Sequence, residues 1–279
     1  MIPVPAPTAP ASLADLLRAG RPLVMGVLNV TPDSFSDGGR FLDPDAAIAQ
    51  ARDMVAAGAD IVDVGAESTR PYGGATPVSA ADEIARLAPV LPAVAALGVP
   101  VSIDTMKAAV AEWALDHGAT ILNDVWGLQR DPGIAALAAA RGVPIVVMHN
   151  RDAADPTIDI VADVEAFFAR SLAVAAEAGV AAGQIVLDPG IGFGKTPAQS
   201  LATLAATARF LAFGRPLLVG ASRKRFIDSV SPAPPDRRLG GSIAAHLLAV
   251  LDGAAIVRAH DVAETVQALR VAAAIRNAR

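Results

Sequence analysis

Eight short runs of apolar, often β-branched residues alternate along this chain with longer segments in which alanine and leucine recur at helical spacing. The runs predict strands at Leu23–Asn29, Asp60–Gly65, Val99–Asp104, Thr120–Val125, Val143–His149, Ile185–Asp188, Pro216–Gly220 and Ala255–Arg258. Each helical segment between two strands ends on a glycine, which readily adopts the left-handed backbone that terminates a helix. The seven glycines are Gly58, Gly98, Gly118, Gly142, Gly179, Gly214 and Gly253. With an eighth helix after Asp261, the pattern predicts a (β/α)8 TIM barrel, and a doubly wound open sheet is the alternative.

The length and the first residues define the predicted domain organisation. The chain has 279 residues, which suits a single barrel of roughly 250 residues. We assign residues 23–279 to the barrel and residues 1–22 to a short N-terminal arm. The arm begins "MIPVPAPTAPAS", which lacks the basic and apolar regions of a signal peptide. We therefore expect a flexible extension rather than a second domain.

Composition excludes several classes of function. A net charge of −5 argues against a general nucleic-acid binder. No apolar run approaches the roughly 18 residues that a membrane-spanning helix needs. The chain has no cysteine, which excludes disulfides and thiolate metal sites and is typical of a cytoplasmic enzyme. We expect small-molecule substrates, with neither a nucleic acid nor a membrane as a partner.

Nearly every predicted strand ends on polar or ionisable residues, and active sites of barrels lie at these carboxyl ends. In chain order the residues are Asn29; Asp63, Glu67, Thr69 and Arg70; Asp104; Asn123 and Asp124; His149; Asp188; Ser222, Arg223 and Lys224; Arg258 and His260. One such residue is usually a helix cap, but eight polar strand ends around one barrel mouth indicate an active site. The chain also has only three lysines, and all lie just past strand ends: Lys107, Lys195 and Lys224.

The residue types at the mouth indicate two kinds of ligand. Carboxylates and an amide at Asp104, Asn123 and Asp188 suit the guanidine-like edge of a flat, nitrogen-rich heterocycle such as a pterin. Asp104 as a helix cap and Asp188 as a turn residue before a proline are the structural alternatives.

A second group of residues at the mouth suits an anion. Arg258 and His260 follow the last strand, where barrels commonly bind phosphate, and His260 as an exposed loop residue is the alternative. Asn29 on the first strand offers an amide oxygen of the kind that Mg²⁺ shares with phosphates.

Three loops deserve a specific interpretation. "TPDSFSDGGRF" after the first strand and "AESTRPYGGATP" after the second contain paired glycines and a proline, and we expect both to act as mobile lids. "GIGFGKT", residues 190–196, does not match a P-loop or a dinucleotide-binding pattern, because the required glycine positions hold Pro189 and Lys195. We interpret it as a flexible loop that carries Phe193.

The motifs "NVTPDSFSDGG", "ESTRP", "SIDT", "ND", "DPGIGFGK", "SRK" and "RAHDV" occur in the order and spacing of the dihydropteroate synthase family, and the resemblance covers about residues 23–276. It implies a transferase of folate biosynthesis. The family joins 6-hydroxymethyl-7,8-dihydropterin diphosphate to p-aminobenzoate and forms 7,8-dihydropteroate and diphosphate. It also implies a homodimer and a target of sulfonamides.

The resemblance assigns a role to each matching residue. The pterin residues would be Asp104, Asn123, Met148, Asp188 and Lys224; the diphosphate residues Asn29, Arg258 and His260, with Mg²⁺ near Asn29; and the p-aminobenzoate residues Ser34, Phe35, Thr69, Arg70, Pro71, Phe193 and Ser222. The implied mechanism is SN1-like: diphosphate leaves, a pterin-stabilised cation forms, and the arylamine attacks. We expect four catalytic residues, Asp104, Lys224, Asp33 and Arg70. Asp104 would stabilise the cation, and Asp33 with Arg70 would close over the site.

The sequence departs from the commonest motifs of this family at three places. Ala66 replaces a second glycine, "MHNRDAADP" is an unusual loop after the fifth strand, and Trp126, three residues after Asn123, could change the shape of the pterin pocket.

Three alternative functions remain open. A pterin-binding paralogue without synthase activity and a folate-dependent methyltransferase with a corrinoid partner have the same fold, and a purely structural or binding protein is the third. We further predict that Asn29→Ala or Arg258→Ala abolishes turnover and leaves the fold intact.

Overall fold

The computed structural model describes residues 11–31, 43–67 and 78–278. Most of each predicted lid, 31–41 and 66–77, lies outside these ranges. Eight strands are β1 (Leu23–Asn29), β2 (Ile61–Gly65), β3 (Val101–Asp104), β4 (Ile121–Asp124), β5 (Ile145–Met148), β6 (Ile185–Asp188), β7 (Leu218–Val219) and β8 (Ile256–Ala259). All pair in parallel in the order β6-β5-β4-β3-β2-β1-β8-β7. The sheet closes where Leu187 bridges Leu217 and the Leu187 N–H donates to the Pro216 carbonyl over 2.9 Å. The predicted (β/α)8 barrel is confirmed.

Helices surround this barrel in the order that the sequence predicts. Their bounds are α1 (Leu13–Arg18), α2 (Pro44–Ala56), α3 (Ala80–Leu87), α4 (Leu91–Ala95), α5 (Ala108–Asp116), α6 (Gly133–Arg141), α7 (Ile160–Glu177), α8 (Pro197–Ala205), α9 (Thr207–Phe210), α10 (Arg225–Val230), α11 (Leu239–Leu251) and α12 (Val262–Asn277). In the ranges given above, none of these helices is both long enough and apolar enough to cross a membrane.

The glycines that were predicted to end the helical segments adopt the left-handed backbone. All seven have φ between +63° and +102°, a region that strains residues with a Cβ. At Gly118 space is also limiting, because a Cβ there would lie 2.5 Å from the Cβ of Ala95 on α4. These turns return the chain from each helix to the next strand and so set the eightfold alternation.

The amino end of the barrel is filled by apolar side chains and covered by part of the N-terminal arm. The filling cluster consists of Leu13, Leu23, Met25, Ile61, Ile121, Val146, Val186, Leu218 and Ile256. Leu13 belongs to α1, a helix within the arm that the sequence analysis did not predict. Ser12 caps this helix by accepting a hydrogen bond from the Asp15 N–H over 3.2 Å. The larger apolar cluster lies between the strands and the surrounding helices.

Candidate active site

Polar side chains replace the apolar filling at the carboxyl end of the barrel. Alternate residues of a strand point to the same face, so the interior of β2 changes from Ile61 to Asp63 and that of β8 from Ile256 to Arg258. Asp104 on β3 and Asn123 on β4 are register partners, and so are Met148 on β5 and Asp188 on β6. The side chains of these two register pairs are all more than nine-tenths buried. The structure therefore brings together four of the five residues predicted to bind a pterin.

A guanidinium links two carboxylates in the centre of this mouth. Arg258 Nε donates to Asp63 Oδ2 over 2.6 Å, and Arg258 Nη2 donates to Asp104 Oδ2 over 2.9 Å. Asn123 Nδ2 also donates to Asp63 Oδ2, over 3.1 Å, which leaves the amide oxygen of Asn123 as an acceptor. Sequence reasoning listed Asp63 among polar strand ends but gave it no role. The available signal was a lone carboxylate inside an otherwise apolar strand, "IVDVG".

The buried carboxylates of the mouth have raised pKa values and spare acceptor capacity. Burial raises the pKa of Asp104 to about 7, against the opposing effect of the Arg258 guanidinium and with a further contribution from the Asp63 carboxylate. Burial likewise raises the pKa of Asp188, opposed by the Lys224 ammonium and by the Gly190 N–H. Within the described ranges, Asp63 Oδ1 and Asp104 Oδ1 are buried without a hydrogen-bond partner. Unsatisfied buried acceptors are costly, so we expect a ligand to donate hydrogen bonds here.

Lys224, at the start of α10, is the fifth predicted pterin residue and reaches the same mouth from above β7. Its Nζ donates to the carbonyl of Ile191 and lies 4.5 Å from the centre of the Phe193 ring. Burial lowers the pKa of Lys224 to about 8, and the Asp188 carboxylate opposes this effect. Gly192 makes room for the side chain, because a Cβ there would lie 3.2 Å from Lys224 Cδ.

The rim between β7 and β8 brings Ser222 beside His260. The His260 N–H donates to Ser222 Oγ over 3.2 Å, and His260 Nδ1 lies 3.0 Å from the same oxygen. Next to Ser222, Arg223 has φ of +58°, an unusual backbone conformation for a non-glycine residue and one that is common at functional sites. Its Nε donates to Asp261 Oδ2 over 3.0 Å. His260 is thus held at the rim rather than exposed on a loop.

Asn29 ends β1 beside Gly65 of β2 and is half-buried at the mouth. Across the described ranges, no cluster of three or more His, Cys, Asp or Glu side chains could hold a metal ion. The Asn29 amide oxygen is the one predicted ligand for Mg²⁺, an ion that commonly shares protein oxygens with phosphates and water.

Other polar residues near the strand ends have structural partners instead. Asp124 accepts hydrogen bonds from the Trp126 and Leu128 N–H groups over 2.8 and 2.7 Å, which fixes the turn after β4. Lys107 donates to Glu67 over 2.5 Å and to the buried Glu83 over 2.7 Å.

His149 is completely buried below the mouth and contacts Lys195 and Asp163. Trp126 carries the Arg130 guanidinium 3.7 Å above its ring. It lines a cavity of about 550 Å³ that contains none of the predicted pterin residues.

Six predicted site residues lie outside the described ranges: Asp33, Ser34, Phe35, Thr69, Arg70 and Pro71. The described part of the predicted p-aminobenzoate site is Phe193 and Ser222. Phe193 lies on the loop after β6, 4.5 Å from Lys224 Nζ, and Ser222 lies on the loop after β7, two residues before Lys224.

Comparison with known proteins agrees with this geometry. The family model "Pterin binding enzyme" matches residues 25–260. The dihydropteroate synthase of Bacillus subtilis is 45% identical, over 91% of this chain and 89% of that protein.

Solved structures agree as well. That of dihydropteroate synthase from Clostridium difficile in the presence of pteroic acid has a TM-score of 0.87 and 46% identity, over 91% of this chain and 97% of that one. That of Xanthomonas albilineans dihydropteroate synthase with 4-aminobenzoic acid has a TM-score of 0.87 and 43% identity, over 92% and 93%. The chain therefore belongs to the dihydropteroate synthase family of pterin-binding enzymes, which are transferases of folate biosynthesis.

Proposed function

We propose that this barrel joins 6-hydroxymethyl-7,8-dihydropterin diphosphate to p-aminobenzoate and releases 7,8-dihydropteroate and diphosphate. The observation that carries the proposal is the buried group of acceptors at Asp104, Asn123 and Asp188 beside the Lys224 ammonium. The solved structures named above were obtained in the presence of pteroic acid and with 4-aminobenzoic acid, which are the skeleton of the product and one of the two substrates.

The pterin is proposed to lie among these acceptors. Asp188 Oδ1 accepts the Gly190 N–H over 2.7 Å, which fixes the carboxylate and leaves Oδ2 for a ring N–H or amino group. The amide oxygen of Asn123 offers a second acceptor, and Asp104 Oδ1 a third. Lys224 supplies a donor for a ring oxygen or nitrogen, and Met148 packs against the ring plane.

The diphosphate is proposed to lie at the rim beside Asn29, Arg258 and His260. Arg258 donates from Nε to the Asp63 carboxylate and from Nη2 to the Asp104 carboxylate. Its Nη1 has no hydrogen-bond partner in the described part of the chain. The carboxylates orient the guanidinium, so Nη1 is the atom that we expect to bind phosphate. Mg²⁺, when bound beside Asn29, would neutralise charge on the leaving diphosphate.

The proposed mechanism is dissociative. The bond between the pterin methylene carbon and the diphosphate oxygen breaks, and its electron pair leaves with the diphosphate. The cation on the pterin methylene is delocalised into the ring, where the Asp104 carboxylate stabilises it. The amine of p-aminobenzoate then forms the new C–N bond and loses one proton to solvent.

For p-aminobenzoate, Phe193 and Ser222 are the proposed contacts within the described ranges. Ser34, Phe35, Thr69, Arg70 and Pro71 are proposed to complete the site, and Asp33 with Arg70 to close over it. The same subsite is the proposed point of sulfonamide binding, since these drugs resemble p-aminobenzoate in shape and charge.

We also propose a homodimer. Helices α11 and α12 expose large apolar side chains, namely Leu248, Leu251, Val271 and Ile275, each more than half exposed. Exposed apolar side chains on neighbouring helices are typical of a protein interface. A cytoplasmic location is proposed with the folate pathway and fits a chain without cysteines.

The test is direct measurement of 7,8-dihydropteroate made by the purified protein with Mg²⁺ and both substrates. We expect product that requires both substrates and is lost in Lys224→Ala. The matched control is Lys107→Ala, which removes a strand-end lysine outside the pocket and is expected to retain product formation. Binding of the pterin diphosphate without product would contradict the proposal and favour a non-synthetic paralogue.

A further inference from the structure

Lys195 is buried, with 1% of its surface exposed, although the proposed pocket does not use it. Its Nζ donates to the Gly190 carbonyl over 2.8 Å and to the Phe193 carbonyl over 3.2 Å. Its third neighbour is His149 Nδ1, at 2.6 Å. A buried ammonium is costly unless it is well hydrogen-bonded, so this position of a lysine requires an explanation.

His149 is set by its other neighbour to accept from Lys195. His149 Nε2 lies 3.0 Å from Asp163 Oδ2, and the His149 and Arg151 hydrogen bonds lower the pKa of Asp163 against the opposing effect of burial. An ionised carboxylate only accepts, so Nε2 carries the ring proton. Burial lowers the pKa of His149 to about 3, so the ring is neutral and Nδ1 is free of a proton. Asp163 and His149 therefore orient the Lys195 side chain.

The two carbonyls that Lys195 holds belong to the loop between β6 and α8, residues 189–196, which we call the β6 loop. The backbone of this loop is irregular, because Gly190, Gly192 and Gly194 all have positive φ. The loop lies tightly against the segment after β5. A Cβ on Gly190 would lie 1.9 Å from the His149 carbonyl oxygen. Lys195 is thus the side chain that fastens an otherwise irregular loop from its buried side.

The opposite side of the same loop holds the pocket lysine. The Ile191 carbonyl accepts from Lys224 Nζ, and the ring of Phe193 lies 4.5 Å from that nitrogen. Ile191 and Phe193 lie next to or at the residues whose carbonyls Lys195 binds. A shift of the loop would therefore move both the acceptor and the aromatic face that place the Lys224 ammonium.

We infer that Lys195, oriented by His149 and Asp163, is a positioning residue that fixes the β6 loop and thereby places Lys224 and Phe193 for the two substrates. The inference rests on the proposed function and deepens it. It also assigns a role to the third strand-end lysine of the sequence. Lys195 acts through the loop and touches neither substrate.

The test is Lys195→Met, which keeps the length of the side chain and removes the ammonium. Two carbonyls lose their donor, and we expect KM for both substrates and Kd for the pterin diphosphate to rise about tenfold. Titration calorimetry with the pterin diphosphate measures this Kd without turnover. We also expect the basic limb of the pH profile of kcat/KM to move upward, because a less confined Lys224 is better solvated and the repulsion between the two lysines is lost.

Matched variants separate positioning from general stability. Lys107→Met removes the other structural lysine, whose partners Glu67 and Glu83 lie away from the β6 loop. It is expected to lower the melting temperature while KM for the pterin diphosphate stays within twofold of wild type. His149→Asn keeps an acceptor near the position of Nδ1, and we expect it to retain tighter pterin binding than His149→Phe.

The inference is overturned if Lys195→Met lowers only kcat or thermal stability and leaves both KM values, the Kd and the basic limb unchanged. That result would describe a smaller fraction of folded enzyme with a normal pocket. Failure of the proposed function is distinguishable, because it would appear in the wild-type protein as absence of product. The calorimetric comparison of Lys195→Met with wild type would remain valid in that case.

Discussion

The two ends of the barrel interior are built from the same strands and have opposite chemistry. One two-residue step along a strand changes the interior side chain from apolar to polar: Ile61 to Asp63, Ile121 to Asn123, Val186 to Asp188 and Ile256 to Arg258. The amino end is a continuous apolar cluster that α1 covers. The carboxyl end holds buried charged groups, and among the described residues one oxygen each of Asp63 and Asp104 has no hydrogen-bond partner there. Burial of apolar surface stabilises the fold, whereas unsatisfied acceptors destabilise it until a ligand binds.

The largest effect on the polar end is expected from substitution of Arg258, which is the cation of that end. Arg258→Met leaves Asp63 and Asp104 buried without their partner, and loss of one member of such a group costs about 3–5 kcal/mol. We expect loss of turnover together with a lower free energy of unfolding. The sequence alone predicts loss of turnover with an intact fold, and the ion pairs change that expectation. Urea unfolding and the product assay on the same samples measure both effects.

The control for Arg258→Met is one step away on the same strand. Ile256→Ala removes apolar filling and is expected to cost about 2–5 kcal/mol, while the KM values of the remaining folded enzyme stay at their wild-type levels. If Arg258→Met unfolds no more readily than wild type, the ion pairs contribute no net stability. The polar end would then be less strained than its geometry indicates.

Much of the barrel could be predicted from local patterns because those patterns repeat. The glycines that end the helical segments and the alternation of apolar and helical segments can each be recognised within a dozen residues, and β1 and β6 begin and end as predicted. The other strands differ from their predicted bounds by at most two residues at either end. Leu13 and α1 could not be predicted in this way. The helix is short, and its apolar contact is with strands that come later in the chain.

The candidate site was predictable as a set of positions but not as a set of contacts. Arg258 binds Asp63, 195 residues away along the chain, and nothing local to either residue encodes that pairing. Likewise, the sequence does not distinguish a polar strand end that faces the pocket from one that lies beneath a loop. Asp188 is an example of the first and His149 of the second. Partners from distant segments decide between these outcomes.

A smaller effect is the pH dependence of the free energy of unfolding, which the polar end contributes through Asp104. Burial raises the folded-state pKa of Asp104 to about 7, so the native protein holds this proton more tightly than the unfolded chain. The stabilisation is full below the unfolded pKa near 4 and is lost as pH rises through about 7. We therefore expect the free energy of unfolding of wild type, relative to Asp104→Asn, to fall between pH 5 and pH 8. Denaturant unfolding at both pH values measures the difference.

The control for this pH effect is an exposed carboxylate. Asp152 is 83% exposed, so Asp152→Asn is expected to follow the wild-type pH dependence. A difference between wild type and Asp104→Asn that is constant from pH 5 to pH 8 would show that Asp104 is ionised throughout. The Arg258 guanidinium would then outweigh burial in setting the charge of the polar end.

The smallest expected effect is at the outer edge of the apolar end, where Leu13 of α1 joins the barrel filling. Leu13→Ala removes buried apolar surface, and we expect a loss of about 2 kcal/mol or less, because a six-residue helix at the end of the chain can adjust to the change. The polar end is separated from α1 by the whole length of the strands, so the KM values should be unchanged. Urea unfolding and steady-state kinetics measure the two quantities. A changed KM would mean that the ends of the barrel are coupled, and that the amino end contributes to the geometry of the pocket as well as to stability.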